Sequence, residues 1–166
     1  RLDVRLDDCP RQPDLVVVDS RLQTPPTAQL FSAGAGRQVL LYTAVSDPAR
    51  EATLAARGAT IVHQPGGGPR GDKVDLRALM EDLARRGCNE LHVEAGHQLN
   101  GSLLREGLVD ELLLYLAPRL LGPGLGLARI GPLEALAEGM ELEYIASDRV
   151  GPDLRIRARL KGHADF

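Results

Sequence analysis

Leu91-His92-Val93-Glu94-Ala95-Gly96-His97-Gln98-Leu99-Asn100-Gly101-Ser102-Leu103-Leu104 is the stretch on which the reading of this chain turns. Leu91 and Val93 alternate as in a short strand, and Glu94 closes it. Gly96 and Gly101 then bound a loop ahead of a helix with Leu99, Leu103 and Leu104 on one face. The expected order is strand, anion-cradling turn, helix. Bare N–H groups at a helix start, with the helix dipole behind them, favour a phosphate, and glycine admits it close to the main chain. Glu94 stands at the carboxyl end of its strand, where open α/β sheets place ligand contacts. On spacing alone the same residues also suit a plain strand-to-helix turn with Glu94 as a solvated cap.

The spacing resembles a phosphate-binding P-loop, but no lysine precedes the final hydroxyl residue, since Ser102 follows Gly101 directly. Nucleotide hydrolysis is therefore not expected. At 166 residues the chain is long enough for one domain with a sizeable core. No apolar run reaches the roughly 20 residues that span a bilayer, so no membrane partner is expected. A net charge of -3 and 3% aromatic residues provide neither the basic stripe nor the stacking platforms of a nucleic-acid binder. Cys9 and Cys88 match no metal spacing and no disulfide framework, which points to a reducing cytoplasm and to no metal site. The opening Arg1-Leu2-Asp3-Val4-Arg5-Leu6 has no cap or leader and reads as the start of a piece of something longer.

Outward from the central stretch, Leu15 to Asp19 is a continuous β-branched run expected to be a central strand, ending in Asp19-Ser20-Arg21. Hydroxyl plus guanidinium there could hold an anion such as the 2′-phosphate that separates NADP from NAD, or form an ordinary polar turn. Val39 to Thr43 is a second strand. Asp47 and Pro48 start a helix that Gly58 ends, and Thr60 to His63 is a third strand. Gly66-Gly67-Gly68 reads as a mobile connection. Asp75 caps a helix with Leu76, Leu79, Met80 and Leu83 on its inner stripe, and Gly87 stops it. Glu111 to Pro118 is expected to be a buried strand. The end is a hairpin in which Leu142, Tyr144, Ala146, Val150 and Leu154, Ile156, Ala158, Leu160 all occupy even positions. That parity predicts a Gly151-Pro152-Asp153 loop pairing Val150 with Leu154, with Arg155, Arg157 and Arg159 opposite Glu141, Glu143 and Ser147. Residues 161–166 are expected to be a loose tail.

Alternating strands and helices closed by a hairpin predict a three-layer α/β architecture with a mixed sheet and helices on both faces. No Gly-x-Gly-x-x-Gly follows a predicted strand. Val17-Val18-Asp19-Ser20-Arg21, Val93-Glu94-Ala95-Gly96, Leu99-Asn100-Gly101-Ser102-Leu103-Leu104, Gly107-Leu108-Val109-Asp110-Glu111-Leu112 and Ala117-Pro118-Arg119-Leu120-Leu121-Gly122 together resemble the reductase domain of RibD-type riboflavin-biosynthesis proteins. The resemblance runs in order from Arg1 to about Leu160.

It implies a dihydrofolate-reductase-like fold over residues 1–160, without the family's first strand and helix. It also implies NADPH-dependent reduction of 5-amino-6-(5-phosphoribosylamino)uracil, a homodimer, and a small phosphoribosyl-pyrimidine substrate. Substrate contacts are then expected at Leu2, Arg5 and Glu94. Cofactor contacts are expected at Ser20 and along Gly96, His97, Gln98, Leu99, Asn100, Gly101 and Ser102. His97-Gln98 departs from the Pro-Thr-like pair usual there. No dedicated catalytic base is expected, because hydride passes directly once donor and acceptor are aligned. Two alternatives stand beside this reading: a non-catalytic, self-associating module with an exposed sheet edge, and a same-fold reductase for another pterin-like or pyrimidine compound.

Overall fold

A computed structural model describes residues 3–5, 9, 11–32 and 36–162. Leu2 and residues 163–166, of which an expectation was stated above, lie outside the described residues. The chain divides into two compact units, Arg1–Glu90 and Leu91–Phe166.

The first unit is built on a parallel sheet of β1 (Leu15–Val18), β2 (Val39–Thr43) and β3 (Ala59–His63), in the order β1-β2-β3. The central strand is β2, buried at every position, whereas β1 is an edge strand among the described residues and only Leu15 in it is fully buried. The β-branched run Leu15–Val18 therefore reports apolar cover on its faces, not two flanking strands. Leu22, Leu41, Leu54 and Ala59 form the core, with Val17, Phe31 and Ile61 packed against it. A 3-10 turn spans Gln29–Ser32.

Helix α1 (Pro48–Ala55) begins as its sequence predicts. The Asp47 carboxylate accepts the Arg50 N–H at 3.1 Å, and Glu51 Oε1 accepts the Asp47 N–H at 2.9 Å, so two otherwise orphaned donors are satisfied reciprocally. Helix α2 (Leu76–Arg85) is capped by Asp75, whose carboxylate accepts the Ala78 N–H at 2.9 Å, and it buries Leu76, Leu79 and Leu83. The Tyr42 hydroxyl donates to Asp82 Oδ2 at 2.8 Å and ties β2 to that helix, while Arg86 Nε holds the same oxygen at 2.7 Å.

Gly66-Gly67-Gly68 is not a free connection. Pro65–Gly67 forms β4, antiparallel to β5 (Lys73–Val74). A side chain on Gly67 would overlap the Val74 carbonyl, and Gly66, Gly68 and Gly71 all have positive φ. The glycines are thus what lets the two backbones approach and turn.

The second unit holds α3 (His97–Arg105) and an antiparallel sheet of β6 (Glu111–Leu116), β7 (Leu142–Val150) and β8 (Asp153–Leu160), in the order β6-β8-β7. Parallel and antiparallel strands are both present, as a mixed α/β fold requires, and their ladders form three separate sheets. Leu91–Val93 is not a strand here. It has no ladder partner among the described residues and Val93 is 41% exposed, and a period-2 pattern becomes a strand only when a neighbour supplies hydrogen bonds. Nor is β6 buried, since Leu113, Tyr115 and Leu116 are about half exposed.

The terminal hairpin corrects the parity argument. Val150 pairs with Asp153, so the turn is the two residues Gly151-Pro152, with Gly151 at φ +60. Facing residues near the turn therefore sum to an odd number. A bulge between Tyr144 and Ala146 then inserts Ile145 and restores an even sum, pairing Tyr144 with Ala158 and Leu142 with Leu160. Arg155, Arg157 and Arg159 do share a face, but opposite Asp148, Ala146 and Glu143. Arg155 grips Asp148 at 2.9 and 2.6 Å, and Arg157 grips Glu111 at 2.9 and 3.2 Å, so the charges of this face are paired with carboxylates.

Candidate active site

The first unit presents Ser20 at the tip of a tight turn. The Leu22 N–H donates to the Asp19 carbonyl at 3.0 Å, which makes Ser20 and Arg21 the two central residues between β1 and the loop. Two features lock this turn. Leu22 is completely buried at φ +53, a left-handed conformation held in place by its packing. Asp19 Oδ2 accepts both the Thr24 N–H, at 2.6 Å, and the Thr24 hydroxyl, at 2.7 Å. Burial on its own raises the Asp19 carboxyl, but hydrogen bonds from Gln23, Thr24 and Arg21 outweigh it and hold the group below its ordinary value.

Ser20 itself is tethered, because its Oγ accepts the Val74 N–H of β5 at 3.0 Å. The serine proton remains available as a donor. Arg5 is largely exposed, with Nε 3.8 Å from Asp3 Oδ1, so its guanidinium can still reach an anion.

In the second unit the expected loop from Gly96 to Gly101 is helical. Gly96 is the N-cap of α3, with extended backbone and no side-chain cap, and the helix starts at His97. The Asn100 N–H donates to the Gly96 carbonyl at 3.1 Å, which leaves the N–H groups of the first turn, His97 to Leu99, without an intrahelical acceptor.

Asn100, Gly101 and Ser102 are engaged elsewhere. Asn100 Nδ2 donates to the carbonyls of Ala95 at 3.3 Å and Leu127 at 3.0 Å. The Arg129 N–H donates to the His97 carbonyl at 2.8 Å, and Arg105 reaches back to the Arg129 carbonyl and to Ser102 Oγ. Gly101 is buried, and a Cβ there would overlap the Arg129 backbone. Its lack of a side chain thus serves the approach of residues 127–129 to the helix. Spacing assigned that closeness to a phosphate, and nothing local distinguishes the two. Glu94 is exposed, with Oε1 3.4 Å from His92 Nε2, so its carboxylate is open to a ligand.

The family model for the RibD C-terminal domain matches residues 1–156. The chain belongs to the RibD C-terminal domain family. Among its relatives, RibD of Escherichia coli is 33% identical over 145 residues, covering 87% of this chain and 37% of that protein. RibD of Bacillus amyloliquefaciens is 28% identical over 166 residues, 99% of this chain and 43% of the relative. The chain thus spans about two fifths of the length of these curated relatives. A reductase of Methanothermobacter thermautotrophicus, named for 2,5-diamino-6-ribosylamino-4(3H)-pyrimidinone 5′-phosphate, is 34% identical over 161 residues, covering 95% of this chain and 71% of that protein. The structure of Acinetobacter baumannii RibD shares the fold, with a TM-score of 0.73 at 24% identity, covering 90% of this chain and 38% of that one. Family membership and this likeness together bear out the expected fold class. No helix among the described residues is long and apolar enough to cross a membrane, and no cluster among them could hold a metal ion.

Proposed function

We propose that the chain carries out NADPH-dependent reduction of 5-amino-6-(5-phosphoribosylamino)uracil to its ribitylamino counterpart, as a soluble cytoplasmic homodimer. The observation that carries this reading is the family match over residues 1–156, joined to a helix start at Gly96 that keeps its first-turn donors free. The donor types within each unit suit one part of a dinucleotide. First-turn N–H groups of α3 suit a pyrophosphate, and the Ser20 hydroxyl suits the ribose phosphate that distinguishes NADPH from NADH. When bound, the cofactor supplies the hydride.

The remaining work falls to binding and orientation. Arg5 can pair with the substrate phosphate through two parallel N–H bonds, and the Glu94 carboxylate can accept ribose hydroxyls or ring N–H groups. Leu2 is proposed as a further substrate contact on family resemblance alone. Support for self-association comes from Leu113, Tyr115, Leu116 and Tyr144, which leave apolar surface exposed on β6 and β7.

A second reading keeps the reaction and changes the pyrimidine. The Methanothermobacter relative matches over a larger share of its own length than the RibD relatives do, and it is named for the diamino compound. Nicotinamide absorbance followed with both phosphoribosyl pyrimidines separates the two readings. Oxidation of NADPH with the uracil compound alone supports the first, and oxidation with the diamino compound alone supports the second. Equal use of NADPH and NADH would count against the role of Ser20, and sedimentation tests the dimer.

A further inference from the structure

A cation 53 positions from Ser20 in sequence is carried on the glycine hairpin to which that serine is bonded. Because Ser20 Oγ accepts the Val74 N–H at 3.0 Å, the turn after β1 is fastened to β5, and the residue before Val74 on that strand is Lys73. Val74 is buried, so alternation along the strand turns Lys73 outward, and Lys73 is exposed. Its aliphatic stem lies over Gly68. A Cβ built on Gly68 would stand 2.8 Å from Lys73 Cγ and 3.3 Å from its Cβ, so the glycine provides the bed on which the stem rests. Of the neighbouring carboxylates, Asp75 is occupied as the cap of α2, and Asp72 is exposed, with Oδ1 3.9 Å from the same built Cβ on Gly68. Neither Lys73 nor Arg21, the other exposed cation of this turn, forms an ion pair among the described residues. A hydroxyl donor and two unneutralised cations are thereby carried on two pieces of backbone that a hydrogen bond holds together.

We propose that Lys73 is a specificity-determining residue that, with Ser20 and Arg21, binds the phosphate monoester on the adenosine ribose of the cofactor. The assignment rests on the functional reading above and extends it to a residue on another strand. Lysine suits the role as a point charge for a dianion whose non-bridging oxygens are equivalent. Gly68, just after β4, then acquires a purpose beyond the turn, since a bulkier residue there would evict the lysine stem.

Calorimetric titration of the protein with NADPH, NADH, adenosine 2′-monophosphate and adenosine 5′-monophosphate tests this without any turnover. The unmodified chain is expected to prefer NADPH and the 2′-monophosphate. Lys73→Ala should weaken both by about tenfold, the usual scale for losing one charged hydrogen bond, and leave NADH and the 5′-monophosphate unchanged. Lys73→Arg should restore most of the loss. If the unmodified chain prefers NADPH and Lys73→Ala retains that preference in full, the lysine assignment is overturned while the functional reading stands. Equal loss toward NADPH and NADH also overturns it, because that marks a structural role. An unmodified chain indifferent to the 2′-phosphate overturns the functional reading and this assignment together.

Discussion

Replacing Gly101 with alanine sets two opposed effects against each other, and the structure decides between them. Alanine in a helix interior is favoured over glycine by about 1 kcal/mol, so α3 taken alone should gain. The new methyl group, however, falls on the backbone of Arg129, which cannot rotate away as a side-chain tip could. Residues 127–129 must therefore lift off the helix. That movement endangers the bond from the Arg129 N–H to the His97 carbonyl at 2.8 Å, that from Asn100 to the Leu127 carbonyl at 3.0 Å, and the Arg105 contact to the Arg129 carbonyl. At about 1 kcal/mol for each neutral bond and about 1.5 for the charged one, the gross loss is roughly 3 to 4 kcal/mol. After the helix gain, Gly101→Ala should destabilise by about 2 to 3 kcal/mol, read as a lower urea midpoint at unchanged slope. Adding Asn100→Ala should then cost less than it does in the parent chain, because its bond to Leu127 is already lost. A Gly101→Ala chain more stable than its parent would refute the reasoning, since it would show that residues 127–129 do not constrain this helix.

Two further predictions concern titration. Burial and the hydrogen bond to Asp82 push the Tyr42 phenol up to about 12. Below the unfolded value near 10 the phenol is protonated in both states, so its contribution to stability is intact, and it is lost as pH rises from about 10 to 12. An absorbance titration should show one of the three tyrosines ionising only near pH 12, and Tyr42→Phe should remove that step. Asp19 titrates in the opposite sense. Its folded value lies below the unfolded one, so its stabilisation is present above the ordinary carboxylate range of about 4 and disappears as pH falls through the folded value. Asp19→Asn should flatten the acid limb of the stability profile, and an unchanged acid limb would rule out the Thr24 bonds as its source.

The helices were legible because their signals are local. Asp47 with Pro48 and Asp75 with the Leu76, Leu79, Leu83 stripe each mark a helix within a dozen residues, and both helices form where those residues stand. The strand Val39–Thr43 was equally plain. Legibility failed where a pattern needs a partner. Leu91–Val93 carries the alternation of a strand, yet alternation specifies which way side chains point and not which backbone they pair with. The hairpin register failed for a related reason, since Ile145 changes parity inside a strand whose composition carries no mark of a bulge. Gly66-Gly67-Gly68 was misread as freedom because glycine count alone does not distinguish a loose chain from one pressed against another backbone.

Of the candidate site, the residue types at Ser20, Glu94 and Gly96, and the family they point to, follow from sequence alone, because motif chemistry depends on which groups are close along the chain. Tertiary structure decided which of those groups are already engaged. Asn100 bonds to Leu127 and Ser102 to Arg105, Gly101 lies close against Arg129, and Ser20 is fastened to Val74, leaving the first turn of α3 and the Ser20 proton as candidate donors. It also fastened Ser20 to the residue that follows Lys73. A hydrogen bond closed over 54 positions in sequence depends on how the strands pack, which no local pattern encodes.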